Sequence, residues 1–184
     1  MSREYKFRAI LKTDKFQIMV VPDSVRDTQY YIDIDEAERA FVEKYPKECF
    51  WDFIEEIEKQ DYIQEVSVDC DIIITNSHKN LMQATGIYDN TKFKDLTEKQ
   101  KADWLKNNKA EDWHGIEVYE KDIVAVKFSK DVIDYGVVEY YRGEYTKGCC
   151  SLSSYQAKTK IVGNIYEEYP SEAQHSVKYY LHNH

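Results

Sequence analysis

Residues 47–60 carry large apolar side chains at a spacing that places them on one face of a helix. Phe50, Phe53, Ile54 and Ile57 follow the pattern i, i+3, i+4, i+7. The stretches before and after this segment instead alternate polar and apolar residues, which is typical of half-buried strands. Because the hydrophobic period changes along the chain, we predict an α+β fold rather than an all-helical or all-strand one.

The N-terminal region, residues 1–88, is predicted to combine strands with an acidic two-helix segment. We expect Asp35 to cap a first helix over 35–45, and Pro46 to begin the second helix. Both helices would bury their apolar sides and turn their acids outwards. Extended segments are predicted over 4–11, 16–21, 28–34, 66–74 and 81–87.

Three further parts are predicted after residue 88. Residues 89–112 are polar and rich in Lys, and predict a helical insertion over 96–108 that begins with Asp95 and Glu98 as a capping pair. Residues 113–170 predict a C-terminal β-domain, a small curled β-sheet or SH3-like barrel. Residues 171–184 are expected to form a polar tail. The strands of the β-domain are expected over 123–128, 135–141, a short stretch from Tyr145, 151–157 and 160–166.

The negative charge is concentrated in one part of the chain. Residues 31–72 hold 14 Asp and Glu against 4 Lys and Arg, a charge of −10, whereas the whole chain carries −9. Such a segment attracts basic surfaces, although an acidic helix face also serves solubility alone. We predict a partner-binding face centred on four acids of the second helix, Asp52, Glu55, Glu56 and Glu58.

Several classes of protein are disfavoured by the sequence. Apolar runs such as 72–74 are far shorter than the ~20 residues of a membrane-spanning helix. No apolar segment follows the charged first residues, so we expect no secretory signal. Four irregularly spaced cysteines indicate reduced thiols and a cytoplasmic protein. Phosphate-binding and dinucleotide-binding glycine motifs are missing, and we predict neither a cofactor nor a metal.

Isolated histidines and cysteines give little support for catalysis. His114 precedes a glycine and is interpreted as a turn residue, and His78 as part of a loop. Cys149 has no sequence context that would make it a nucleophile. His182 and His184 lie near the chain end, where a metal would need ligands from elsewhere. We therefore predict that the protein is not an enzyme.

Five blocks of sequence have the order of a known phage pattern. They are YKFRA at 5–9, LMQATGI at 81–87, HGIEVYEKDIV at 114–124, GVV at 136–138 and IVGNIYE at 161–167. Together they resemble the YopX family of phage and prophage proteins. The resemblance implies framework roles, with Gly86, Gly115 and Gly163 in turns and Ile123 and Val124 in the core. It also implies an accessory protein encoded by a phage.

The sequence departs from this pattern at two positions. Lys121 replaces the usual glycine, so we expect that turn not to need a positive φ. Ala84 replaces the usual aromatic residue.

Two functions from different classes follow. The first is a non-catalytic phage accessory protein that binds and inhibits or modulates a host or anti-phage defence protein, for example a host nuclease whose nucleic acid the acidic surface mimics. The alternative is a nucleic-acid-binding module that uses the C-terminal β-domain and its exposed tyrosines. The plentiful Tyr-rich strands would also suit a homo-oligomer. The phosphate contacts of the alternative would come from Lys127, Lys130, Arg142, Lys147, Lys158 and Lys160.

Overall fold

A computed structural model describes residues 6–26, 28–67, 71–75, 81–148 and 150–183. It confirms the mixed α+β fold with N-terminal strands, helices and curled antiparallel sheets. The chain divides into two compact units, Met1–Gln83 and Ala84–His184. The strand predicted over 66–74 runs through 68–70, and these three residues lie outside the described part of the chain, as do the first five residues.

The first unit is built from antiparallel strands and two helices. β1 and β2 form a hairpin, and β1 also pairs with the start of β7, where Ala9 lies opposite Leu81. A second sheet has the order β3-β4-β6-β5. The elements are β1 (Phe7–Lys12), β2 (Gln17–Val20), β3 (Ser24–Arg26), β4 (Gln29–Asp33), α1 (Ile34–Lys44), α2 (Phe50–Ile57), β5 (Ile63–Val66), β6 (Asp71–Thr75) and β7 (Leu81–Tyr88).

The apolar stripe of the second helix is buried, as its spacing predicts. Phe50, Phe53, Ile54 and Ile57 all belong to the hydrophobic core of the first unit. Phe53 stacks on Phe41 of α1 with ring centroids 5.0 Å apart. Full burial of a large apolar side chain contributes about 1.5–3 kcal/mol, so this stripe fixes α2 against the rest of the unit.

The beginnings of the two helices differ from the predictions. Asp33, rather than Asp35, caps α1, because its carboxylate accepts hydrogen bonds from the amides of Asp35 and Glu36. The second helix begins at Phe50 instead of at Pro46. A turn in which the amide of Glu48 donates to the carbonyl of Tyr45 occupies the residues between the helices.

The second unit contains a five-stranded antiparallel sheet with the order β12-β11-β10-β9-β13. The predicted curled sheet is present as a half-barrel. The strand β7 continues into this unit, where Ala84 pairs with Tyr119 of β8. The elements are α3 (Glu98–Leu105), β8 (Glu117–Tyr119), β9 (Asp122–Lys127), β10 (Ile133–Tyr141), β11 (Glu144–Lys147), β12 (Cys150–Ser151), β13 (Thr159–Asn164) and α4 (Gln174–Asn183).

Both faces of this sheet are covered. Val124 and Val138 pack with Leu152 on one face. Ile123 and Val137 alternate with them along the same strands and pack on the other face against Val177 of α4. Because successive side chains of β9 and β10 point to opposite faces of the sheet, adjacent residues belong to two different hydrophobic cores.

Three predicted elements of the second unit are different in the structure. The strand predicted over 151–157 is mainly a 3₁₀ helix, Ser153–Lys158. At the end of this helix, the hydroxyl of Thr159 donates a hydrogen bond to the carbonyl of Tyr155. The inserted helix is shorter than predicted and is capped by Thr97 with Gln100, not by Asp95 with Glu98. The polar tail is largely the helix α4, which is ordered because it buries Val177 against the sheet.

The turn at Lys121 also differs from the prediction. Its φ is 67°, in the left-handed region that glycine occupies more easily than any other residue. The backbone is held there on both sides, because the amide of Lys121 donates to the Val138 carbonyl and its carbonyl accepts from the Ile165 amide. These two hydrogen bonds hold Lys121 in a backbone conformation that glycine adopts with less strain.

Candidate partner-binding surface

The outer side of α2 carries the predicted acidic residues. Asp52, Glu55 and Glu58 are exposed, whereas Glu56 is half-buried. The first three recur every third residue and so form a continuous row along the outer side of the helix. The structure thus brings three of the four predicted residues to one surface.

Glu56 has a different environment from the other three. Its carboxylate forms an ion pair with the ammonium group of Lys15 at 2.8 Å. The hydrogen bond from Lys15 is the main cause that lowers the pKa of Glu56, and a hydrogen bond from Thr13 adds to it. Because Glu56 already has a cationic partner within its own unit, we place it at the edge of the surface rather than at its centre.

Trp51 is an exposed aromatic residue beside the acidic row. Its side chain is 60% exposed, although its ring lies 5.7 Å from that of Phe50. Trp51, Glu55 and Glu58 follow i, i+4, i+7 and therefore lie on the same flank of the helix. Tryptophan is enriched among the residues that dominate the energy of protein interfaces. The exposure of Trp51 could have been predicted from the sequence, since Trp51 does not belong to the apolar stripe that is buried.

The stretch of chain that contains the row, from α1 to β5, is acidic overall. Exposed acids lie on α1, on the connection to α2 and after α2, and they outnumber the exposed bases of the same stretch. Glu36 on α1 is half-buried rather than exposed. Its pKa is raised, mainly because the carboxyl group is buried and secondly because of the carboxylate of Asp23. The acids are Asp35, Glu38, Glu43, Glu48, Asp61 and Glu65, and the bases are Arg39, Lys44, Lys47 and Lys59.

Four of the six basic residues of the alternative nucleic-acid surface lie at one end of the sheet, and the other two lie elsewhere. Lys147 is 5% exposed and forms an ion pair with Asp134, so it does not reach a phosphate. Lys127 lies opposite Ile133 at one end of β10, whereas Arg142 follows the other end. These two cations therefore lie at opposite ends of a nine-residue strand. Lys127, Lys130, Lys158 and Lys160 are exposed. They lie at the same end of the sheet, because Thr159 of β13 pairs with Val126 of β9 and Lys160 pairs with Ala125.

The residues considered for catalysis are placed as follows. The imidazole of His114 packs edge-on against Tyr88 with ring centroids 4.1 Å apart, and its Nδ1 lies 3.0 Å from the carbonyl oxygen of Asp112. His78, Cys149 and His184 lie outside the described residues.

Metal-binding and membrane-spanning features were also sought in the described part of the chain. Its His, Cys, Asp and Glu side chains form no group of three or more that could hold a metal ion. None of the helices there has the length and apolar character needed to cross a bilayer.

A buried carboxylate that sequence reasoning missed organises part of the second unit. Asp89 accepts hydrogen bonds from the backbone amides of Thr91, Ile116 and Ile161 and from the Thr91 hydroxyl, at 2.7–3.2 Å. All four groups are donors, so the carboxylate is satisfied by the protein itself. We assign Asp89 a structural role rather than a catalytic one.

Comparison of the chain with family models, curated proteins and solved structures found no match. The resemblance to the YopX family therefore stays a prediction.

Proposed function

We propose that this protein is a non-catalytic binding protein whose acidic α2 surface, formed by Trp51, Asp52, Glu55 and Glu58, binds a basic surface of another protein. The observation that carries the proposal is the position of Trp51 on the same flank as Glu55 and Glu58. An acidic row alone serves solubility equally well. The exposed tryptophan beside that row favours binding over solubility, because tryptophan is enriched among the residues that dominate the energy of protein interfaces.

The spacing of the acids favours a partner that normally binds nucleic acid. Residues three apart on a helix are separated by about 4.5 Å along its axis. A DNA strand carries one phosphate per about 3.4 Å of its axis, which is a similar density of negative charge. The helix is held by four buried apolar side chains, so the row is presented without a large ordering cost on binding.

The sequence resemblance supplies the biological context of the proposal. A phage-encoded accessory protein with such a surface would act in the cytoplasm of the bacterial host and inhibit or modulate a host or defence protein. A nuclease is the class of partner that this charge pattern suits best, since its groove is built for phosphates. A homo-oligomer is not required, because the surface lies within one unit of one chain.

The proposal is tested by affinity capture with the full chain from a bacterial lysate. The test variant reverses three charges, Asp52→Lys, Glu55→Lys and Glu58→Lys, and leaves Glu56 with Lys15. The control variant makes the same change in net charge at exposed acids of the second unit, Glu111→Lys, Asp131→Lys and Glu144→Lys. We expect a protein that the wild type and the control retain and that the test variant loses.

Calorimetry with the captured protein then measures the affinity. We expect wild-type binding to weaken as salt rises, because it is largely electrostatic, and Trp51→Ala to weaken it by about tenfold or more. Equal affinity of the wild type and the charge-reversed variant would show that the surface does not bind. Nucleic acid in the eluate, lost when Lys127 and Lys160 are changed to Glu, would favour the alternative instead.

A further inference from the structure

Four exposed lysines lie at the end of the five-stranded sheet where β9 stops and β13 begins. Lys160 lies opposite Ala125, two residues before Lys127, so Lys127 and Lys160 are on the same face of the sheet. Lys158 directly precedes β13, and Lys130 lies in the turn between β9 and β10. Together with one apolar residue they form a surface that we call the basic end: Lys127, Lys130, Ile133, Lys158 and Lys160.

The charges of the basic end are largely uncompensated. None of its four lysines forms an ion pair within the part of the chain that the structure describes. Of the two acids in the adjoining turn and strand, Asp134 forms an ion pair with Lys147, which leaves the exposed Asp131. Four lysines against one carboxylate give a local charge of +3 in a chain whose net charge is −9. The basic end therefore attracts an acidic surface.

The spacing of these charges resembles that of the acidic α2 surface of the first unit. Asp52 and Glu58 are six positions apart on a helix, a distance of about 9 Å along its axis. Lys127 and Lys160 are diagonal neighbours on two paired strands, which places them about 7–8 Å apart. Two rows of opposite charge and similar length can therefore face each other.

Each of the two surfaces also exposes a large apolar side chain. Ile133 is 48% exposed and lies directly opposite Lys127, on the same face of the sheet. Trp51 is exposed beside the acids of α2. Exposed charges are screened by salt, whereas burial of apolar area is favourable at any ionic strength. An apolar contact would therefore add to the attraction between the charges.

We propose that the basic end of one copy of this chain binds the acidic α2 surface of a second copy. The inference rests on the proposed function in one respect, that the α2 surface binds a basic protein surface. Because the two surfaces are different, the association is head to tail, and each bound pair leaves one surface of each kind open to a further copy. A second copy and a basic partner protein therefore compete for the same acidic row.

Sedimentation equilibrium of the full chain measures this association directly. The measurement compares chain concentrations up to about 200 μM in about 50 mM salt and in about 500 mM salt, where the Debye length is only about 4 Å. We expect an average mass above that of one chain in low salt, rising with concentration. In high salt we expect the mass of one chain, because complementary charges dominate the contact.

Two charge-reversed variants test the two surfaces. The first has three changes on α2, Asp52→Lys, Glu55→Lys and Glu58→Lys. The second has three changes at the basic end, Lys127→Glu, Lys158→Glu and Lys160→Glu. Each variant alone brings like charges together, so we expect its association constant to fall at least about tenfold. A one-to-one mixture of the two should associate again, since each surface of one variant then meets a surface of opposite charge on the other.

A third variant controls for net charge. It carries the same change as the second variant at exposed lysines outside the basic end, Lys94→Glu, Lys109→Glu and Lys178→Glu. It should associate at least about fivefold more tightly than the second variant, because the two have equal net charge but only the second loses the basic end. Circular dichroism confirms that each variant is folded.

Three results would overturn the inference. They are the mass of one chain at every concentration in low salt, association that both reversed variants retain, and a mixture no heavier than its components. A single-stranded oligonucleotide that binds the basic end of a monomeric chain would assign this surface to nucleic acid.

Failure of this inference and failure of the proposed function are distinguishable. A captured protein that binds the α2 surface of a monomeric chain would leave the proposed function intact and remove the self-association. Self-association that the charge reversals abolish, without a captured protein, would support this inference alone.

Discussion

The backbone carbonyl of Asp89 occupies the space that a side chain on Gly115 would need. Gly115 also has a φ of 118°, which residues with a side chain rarely adopt. A hydrogen bond from the amide of Asp89 to the carbonyl of Ile116, at 2.9 Å, holds the two backbone segments this close together. A glycine is therefore required at this position for two separate reasons, conformation and space.

Gly115→Ala should lower the free energy of unfolding of the second unit by roughly 3 kcal/mol, because it adds a backbone collision to the conformational cost. Gly143→Ala is the control, since Gly143 has a φ of 92° but nothing within 4 Å of an added Cβ. It should lose only about 1 kcal/mol. Urea denaturation measures both, and equal losses would contradict the role of the close approach.

Asp89→Asn should destabilise the second unit although it is nearly isosteric. The carboxylate accepts from four donors, and the amide of Asn would turn its own N–H groups towards two of them. We expect a loss of about 2–4 kcal/mol in urea denaturation, since hydrogen bonds to a charged group are strong and the unpaired donors stay buried. Asp131→Asn, at an exposed position, should change stability by less than about 0.5 kcal/mol. A similar small change for Asp89→Asn would show that the network is not needed.

The sequence predicted the features that depend on local pattern. The stripe of α2 is buried, as its spacing predicts. Ile123 and Val124 are fully buried, as the resemblance implied. Of the three glycines for which the resemblance implied turns, Gly115 lies between elements, whereas Gly86 and Gly163 lie within β7 and β13, where the pairing register shifts.

The missed features depend on contacts between distant residues. Asp89 and Ile161 are separated by 72 positions, and no local pattern marks their hydrogen bond. Lys147 was expected to be exposed, but it is buried. Its aliphatic stem packs over Gly136, and its ammonium group forms an ion pair with the carboxylate of Asp134. The helix α4 escaped prediction because it places few apolar residues at helical spacing, and Val177 alone is fully buried within it.

Lys121 offers a direct test of backbone strain. At its φ of 67° a side chain costs about 1 kcal/mol relative to glycine. Lys121→Gly should therefore be more stable than Lys121→Ala by about this amount, since both lose the contact of the ammonium group with the ring of Tyr166. Thermal or urea unfolding of the two variants measures the difference. If alanine were as stable as glycine, the turn would not be strained.

The same residue should give the stability a dependence on pH. Burial is the main cause that lowers the pKa of the Lys121 ammonium group to about 8 from 10.5, against the opposing effect of Glu120. Between these two values the unfolded chain binds more protons than the folded one, so stability rises with pH. Burial, with Tyr180 as a lesser cause, raises the pKa of Tyr166 to about 12, which acts in the opposite sense above about pH 10.

The contribution of Lys121 is therefore best measured below that range. Relative to Lys121→Met, the wild type should gain about 2 kcal/mol of unfolding free energy between about pH 7.5 and about pH 9.5. The exposed Lys59 provides the control, and Lys59→Met should keep the wild-type pH dependence. Urea denaturation at the two pH values decides the matter. Parallel pH profiles of the wild type and Lys121→Met would mean that the folded chain does not depress the pKa of this amine.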